Sequence, residues 1–211
     1  MTRMVMEQTT FYGLPLLTAP GRVMSPRPAS EQLVAASLEL IGERPARVVD
    51  VGTGSGALAI AIASAAPRAL LWATDTSADA VAVAQANVRS HGLEHRITVA
   101  HGDLLEPVPG AVDLIVANLP YLPVAEAARF PDLAVEPTDA VFADGDGLEP
   151  YRRLFGVCPA RLSLGGAVVI QLHRHALSAK REELPILRAE LEAVQRAAAR
   201  LSVPRPLAAA A

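Results

Sequence analysis

The sequence predicts an α/β fold, a mostly parallel sheet with helices on both faces. Three observations predict it. From residue 30 onward, short runs rich in Val, Leu, Ile and Ala alternate with stretches of helical period. A glycine-rich loop, Asp50-Val51-Gly52-Thr53-Gly54-Ser55-Gly56, joins the first such run to a helix. No segment repeats, and 211 residues, 51% of them apolar, suffice for one sizeable core.

Pro26, Pro28 and Ser30 punctuate the start of a first helix near 30–42. There Val34, Leu38 and Ile41 recur at i, i+4 and i+7, and Ser30 is the expected N-cap. "ARVVDVG" reads as a buried strand and 55–65 as a helix. "ALLWATD" is the second strand, and "SADAVAVAQANVRSHG" is a helix stopped by Gly92. "RITVAHGD" and "VDLIVAN" are the third and fourth strands. Residues 122–147 are irregular and rich in Pro, Asp and Gly, and a loop of that length is uncommon unless it is functional or disordered. A helix near 148–163 and the strand "GGAVVIQL" complete the sheet. Leu187, Leu191, Val194 and Leu201 share one face of a last helix, with a kink or restart at Pro185. The division expected is an extension or linker over 1–29, a catalytic domain over 30–201 and a disordered tail over 202–211.

The composition narrows the function classes. A net charge of −3 offers no strong non-specific attraction to nucleic acid. One cysteine, Cys158, allows no internal disulfide, which fits a reducing cytoplasm, and its expected role is that of a small buried apolar residue. The first residues lack the long apolar core of a signal peptide, and no unbroken apolar run is long enough to span a bilayer. His173 to His175, "HRH", have no carboxylate or cysteine at ligand spacing, so no metal is expected. Arg196, Arg200 and Arg205 read as a solvated face.

In an open parallel sheet, ligands sit beyond the carboxyl ends of the strands. The glycine loop lies there, where glycines permit positive φ and let a ligand approach the backbone. It does not by itself identify the ligand, because Gly52, Gly54 and Ala57 also satisfy G-x-G-x-x-G/A. Asp75 ends the second strand, nineteen residues after Gly56, where a carboxylate can accept from two ribose hydroxyls or cap the next helix. That ribose belongs to a nicotinamide dinucleotide and to S-adenosylmethionine alike. Asp103, ending the third strand, is placed either to accept from an adenine amine or to form a turn, and Leu104 would wall the base. The fourth strand stops on Asn118-Leu119-Pro120-Tyr121. The Asn118 side-chain oxygen and the Leu119 carbonyl are two acceptors able to hold an NH₂ group by both hydrogens, with Tyr121 as an aromatic wall.

Together, "DVGTGSGALAIAIA", Asp75 and "NLPY" resemble a class I S-adenosylmethionine-dependent methyltransferase of the amino-group type, whose usual motif is N-P-P-Y. The chain is most similar to the release factor glutamine N5-methyltransferase (HemK/PrmC-like) family. "FYGLPLLTAPGRVMSPRPASEQLV" and "VEPTDAVFADGDGLEPYRRLF" are the more specific parts of a likeness running from about residue 11 to 170. The resemblance implies a Rossmann-like fold, with S-adenosylmethionine held by Asp50, Gly52, Thr53, Gly54, Ser55, Gly56, Asp75, Asp103, Leu104 and Asn118. It implies that Asn118, Leu119, Pro120 and Tyr121 bind the amide of a protein glutamine, the expected partner being a peptide chain release factor.

Four features depart from the family. Leu119 replaces the first proline of N-P-P-Y and restores an N–H. Ala29 and Ser30 replace an acidic residue and a threonine. The family's helical N-terminal domain has no room before residue 30, and the segment after "AVVIQL" leaves no room for the usual final antiparallel strand pair. Three rival readings follow: an adenine or cytosine amino-methyltransferase on DNA or RNA, a non-catalytic cofactor-fold protein that binds a partner, and a nucleotide-dependent oxidoreductase. The first lacks a basic run or recognition insert, and the last leaves the Asn-Leu-Pro-Tyr loop unexplained.

Overall fold

The structure, a computed structural model, describes residues 4–172. Its centre is a five-stranded parallel sheet built from β3 (Ala46–Val51), β4 (Ala69–Asp75), β5 (Ile97–His101), β6 (Val112–Ala117) and β9 (Leu162–Ile170), in the order β5-β4-β3-β6-β9. The chain winds outward from β3 to β4 and β5, then returns across β3 to lay down β6 and β9. The direction therefore reverses between β3 and β6, and a ligand crevice opens at that point beyond the strand ends. Register pairs Val51 with Ala117, so the glycine loop after β3 and the Asn118 loop after β6 leave the sheet side by side.

The strands are continuous apolar runs because both faces are covered. Val48 faces one core with Ile60, Ile62 and Val34; Val49 and Val51 face the other with Ile115, Leu154 and Phe155. Helices α1 (Glu31–Ile41) and α2 (Ala57–Ala65) serve the first core, and α5 (Glu149–Val157) serves the second. Helix α3 (Ala78–Ser90) begins as expected, with the Ser77 hydroxyl accepting the Ala80 N–H. Cys158 is wholly buried, and burial pushes its thiol up to about 12, as suits an apolar residue and not a nucleophile.

Before residue 30, where the sequence suggests only a linker, the chain forms a hairpin of β1 (Glu7–Phe11) and β2 (Leu14–Thr18). Tyr12 and Gly13 make its two-residue turn, both at positive φ. The hairpin is fastened by Asn87 of α3, a fully buried side chain. The Asn87 Oδ1 accepts the Leu17 N–H at 2.7 Å, and its Nδ2 donates to the Leu17 and Ser55 carbonyls, each at 2.8 Å. One amide thus ties the hairpin to the glycine loop.

The irregular stretch of 122–147 resolves into short pieces. These are β7 (Leu122–Pro123), 3₁₀ turns at Val124–Arg129 and Pro131–Leu133, α4 (Thr138–Val141) and β8 (Phe142–Ala143), with β7 and β8 paired in parallel. The last helix expected from the sequence, its Pro185 kink, the His173–His175 run, the three arginines beyond 195 and the tail lie outside the described residues. The same holds for whatever follows Leu172.

Candidate active site

The glycine loop is held from behind. Asp50 is fully buried at the end of β3. Its Oδ2 accepts from the Thr53 hydroxyl at 2.6 Å and from the Ala59 N–H in the first turn of α2 at 3.2 Å. Burial, only partly offset by these bonds, raises its pKa to about 6. The Gly52 and Thr53 N–H groups hang on the Thr74 carbonyl at the end of β4. Gly52, Gly54 and Gly56 all have positive φ. At Gly52 a Cβ would come within 2.7 Å of the Leu119 side chain, whereas at Gly54 it would meet nothing within 4 Å. Open space beside a bare backbone is what a bound ligand requires there.

That space belongs to a cleft of about 230 Å³ at the switch point. Gly52, Gly54, Asp75, Asp103, Leu104 and Asn118 line it. Asp50, Thr53, Ser55 and Gly56 do not; they shape the loop from below. Asp75 accepts the Gly54 N–H through Oδ2 and the Ser77 N–H through Oδ1, both at 2.9 Å. Its pKa is raised, chiefly by burial, with a smaller repulsion from Asp139. It therefore both caps the turn into α3 and faces the cleft. Asp103 also reaches the cleft, but its carboxylate is ion-paired with Arg153 of α5. Leu104 sits at φ 47°, in the left-handed region, and the Thr74 hydroxyl donates to its carbonyl at 2.8 Å. A non-glycine residue held there beside a cleft is a strained wall fixed by its neighbours.

A second cavity, about 330 Å³, adjoins the first. Asn118, Leu119 and Pro120 line both cavities, so they stand between them. Tyr121 and Phe130 line only the second, and Met24 borders both. Tyr121 is half-buried, and burial raises its phenol pKa. The Asn118 Nδ2 donates to the Ser30 hydroxyl at 3.1 Å, and no hydrogen bond among the described residues occupies its Oδ1. This corrects the expected cap at Ser30. A 3₁₀ turn, Pro28–Ser30, runs straight into α1, so Ser30 already has helical angles and its side chain caps nothing. Its hydroxyl serves Asn118 instead.

The two segments that carry the specific resemblance prop this loop. Glu136 accepts the Ser25 N–H at 3.1 Å and pairs with Arg27 at 3.3 Å, which joins the proline-rich lead-in to the stretch after the loop. Gly147 lies so close to the Tyr121–Leu122 backbone that a Cβ would approach the Tyr121 carbonyl oxygen to 2.5 Å. Asp146 accepts from Arg152 through two bonds, 2.8 and 2.6 Å, and from the Leu148 N–H, fixing the start of α5. From the sequence, Ser30 has only the role of a helix cap, and Tyr151 and Arg153 have none. No local pattern distinguishes them from a cap, a core residue and a surface charge.

Among known proteins, residues 29–130 match the methyltransferase small domain family. A release factor glutamine methyltransferase of Rhodospirillum rubrum is 40% identical over 150 residues, 70% of this chain and 46% of that protein. One of Deinococcus radiodurans is 40% identical over 159 residues, 74% of this chain and 56% of that protein. The chain spans about half the length of these curated relatives. A solved ribosomal protein L11 methylase from Lactobacillus delbrueckii subsp. bulgaricus superposes with a TM-score of 0.57 at 26% identity, over 84% of this chain and 73% of that one. The T. thermophilus 16S rRNA N2 G1207 methyltransferase, solved with AdoMet and guanosine, gives a TM-score of 0.58 at 21% identity over 80% and 42%, a likeness of fold alone.

Proposed function

We propose that this chain, which belongs to the release factor glutamine methyltransferase (HemK/PrmC-like) family of class I methyltransferases, methylates the side-chain amide nitrogen of a protein glutamine. Its substrate in this reading is a peptide chain release factor, met in the cytoplasm. No helix among the described residues is long and apolar enough to cross a membrane.

The observation that carries the reading is the position of Asn118. It stands between a cleft with the features of a nucleoside site and a second, largely apolar cavity, with its amide oxygen unengaged. The cleft suits S-adenosylmethionine. Asp75 would take the ribose hydroxyls, Gly52 and Gly54 leave room at the backbone, and Leu104 and Asp103 flank the place for the base. When bound, that cofactor supplies a methyl group already activated on a positive sulfur.

The chain's own task is to hold the acceptor. An amide nitrogen is a poor nucleophile because its lone pair is delocalised. With Asn118 Oδ1 accepting one N–H and the Leu119 carbonyl the other, the nitrogen is aimed at the cleft. The positive charge that develops on it is favoured by two oxygens already in place. Ser30, by holding Nδ2, turns Oδ1 toward the acceptor. Tyr121 bounds the plane of the amide.

An exocyclic amine of adenine would fit the same acceptors, so the test must present both. With labelled S-adenosylmethionine, the expected result is label on a glutamine side chain of release factor and none on an adenine-containing oligonucleotide. Label on the oligonucleotide alone would replace this reading with the nucleic-acid one. Cofactor binding with no transfer to either would leave the non-catalytic one.

A further inference from the structure

Helix α5 turns Tyr151, Leu154 and Phe155 into the second core beside Leu148, which precedes it, and Tyr151 is the largest of the fully buried side chains. Its phenol is the one oxygen on that face, and burial drives its pKa far upward, so it stays protonated. A hydroxyl in such a place needs partners. It has three, all backbone: it accepts the Leu119 N–H at 3.0 Å, and it lies 2.7 Å from the Gln171 carbonyl and 3.2 Å from the Leu119 carbonyl. A phenol has one proton, and the shorter distance gives most of it to Gln171. The Leu119 carbonyl keeps acceptor capacity.

The Leu119 N–H exists only because leucine stands at this position of the Asn-Leu-Pro-Tyr loop. A proline would bring no donor. Leu119 is buried, so an unmatched N–H would be costly there. We infer that Tyr151 is a positioning residue for methyl transfer: its phenol oxygen takes the Leu119 N–H, locks the loop to β9 and α5, and so makes leucine workable where a proline would otherwise set the backbone. The part concerning turnover rests on the glutamine reading above; the hydrogen bond itself does not.

The inference predicts that positions 151 and 119 are coupled, which a double-mutant cycle measures. Tyr151→Phe removes the acceptor for the Leu119 N–H, while in a Leu119→Pro background there is no N–H to lose. Tyr151→Phe is expected to lower kcat by about tenfold or more in the wild-type background, with the KM for S-adenosylmethionine unchanged, and by less than about threefold in the Leu119→Pro background. Equal factors in both backgrounds, or no effect in either, would overturn it. If Tyr151→Phe folds only when Leu119→Pro is also present, the coupling is shown directly; if the double variant also fails to fold, it is refuted. Hydrogen exchange at the Leu119 amide separates this inference from the choice of substrate. Protection in the wild type that is lost in Tyr151→Phe supports it even if no glutamine is methylated, and an amide equally protected in both proteins contradicts it.

Discussion

Asn118→Ala is expected to lower turnover with the proposed glutamine substrate by about 10²–10³-fold, the range found when one pre-placed polar group at a reacting centre is removed. In the proposed geometry the truncation removes an acceptor aimed at the nucleophile while leaving the glycine loop, Asp75 and Leu104 intact, so affinity for S-adenosylmethionine is expected to fall only slightly. Calorimetry for the cofactor, run beside steady-state kinetics for the acceptor, separates the two effects. A parallel loss of cofactor affinity would assign Asn118 to the cofactor and remove it from the acceptor. Such a split is expected because Asn118 lines both cavities, yet its amide is anchored by Ser30, in the lead-in to α1 and off the glycine loop.

Asp75→Ala should show the opposite division. In the proposed binding mode it removes two hydrogen bonds from ribose hydroxyls to a carboxylate, each of a kind worth roughly 1.5–3 kcal/mol. The cofactor dissociation constant is expected to rise by about 10²-fold after partial replacement by water. Saturating cofactor then restores most of the turnover. The variant also frees the Gly54 and Ser77 N–H groups, so some thermal stability goes with it. The sign of the pH effect is fixed by the raised pKa of Asp75. Acidification protonates this carboxylate earlier than an ordinary aspartate, so cofactor affinity weakens on the acid side in the wild type and not in Asp75→Ala. An unchanged dissociation constant would leave Asp75 as a cap of the turn into α3 and nothing more.

Most of the sheet was legible because its strands are buried on both faces and appear as unbroken apolar runs. The glycine loop and the Asn118 loop were legible as neighbours once β3 and β6 were, since both lie at strand ends of one parallel sheet. The hairpin was missed for a physical reason: Pro15 inside β2 weakens the strand signal, and only the Tyr12-Gly13 pair marks the turn. Ser30 fitted a local rule, and a partner 88 residues away claimed its hydroxyl. Tyr151 reads as one more core residue of an amphipathic helix; that its oxygen meets Leu119 and Gln171 follows from tertiary packing alone. The Arg27–Glu136 pair is of the same kind, 109 residues apart and invisible to any window. The ion pair of Asp103 illustrates the remaining gap, because its carboxylate could be placed at a strand end but not its Arg153 partner.

The central claim is that Asn118 and Leu119 present two oxygens to one amino group. A crystal structure of the protein with the demethylated cofactor and a glutamine-containing peptide from release factor tests it most directly. The account predicts the glutamine amide nitrogen within hydrogen-bond reach of Asn118 Oδ1 and the Leu119 carbonyl, with its remaining face open to the sulfur. A glutamine bound elsewhere, with both oxygens turned from the cleft, would contradict it.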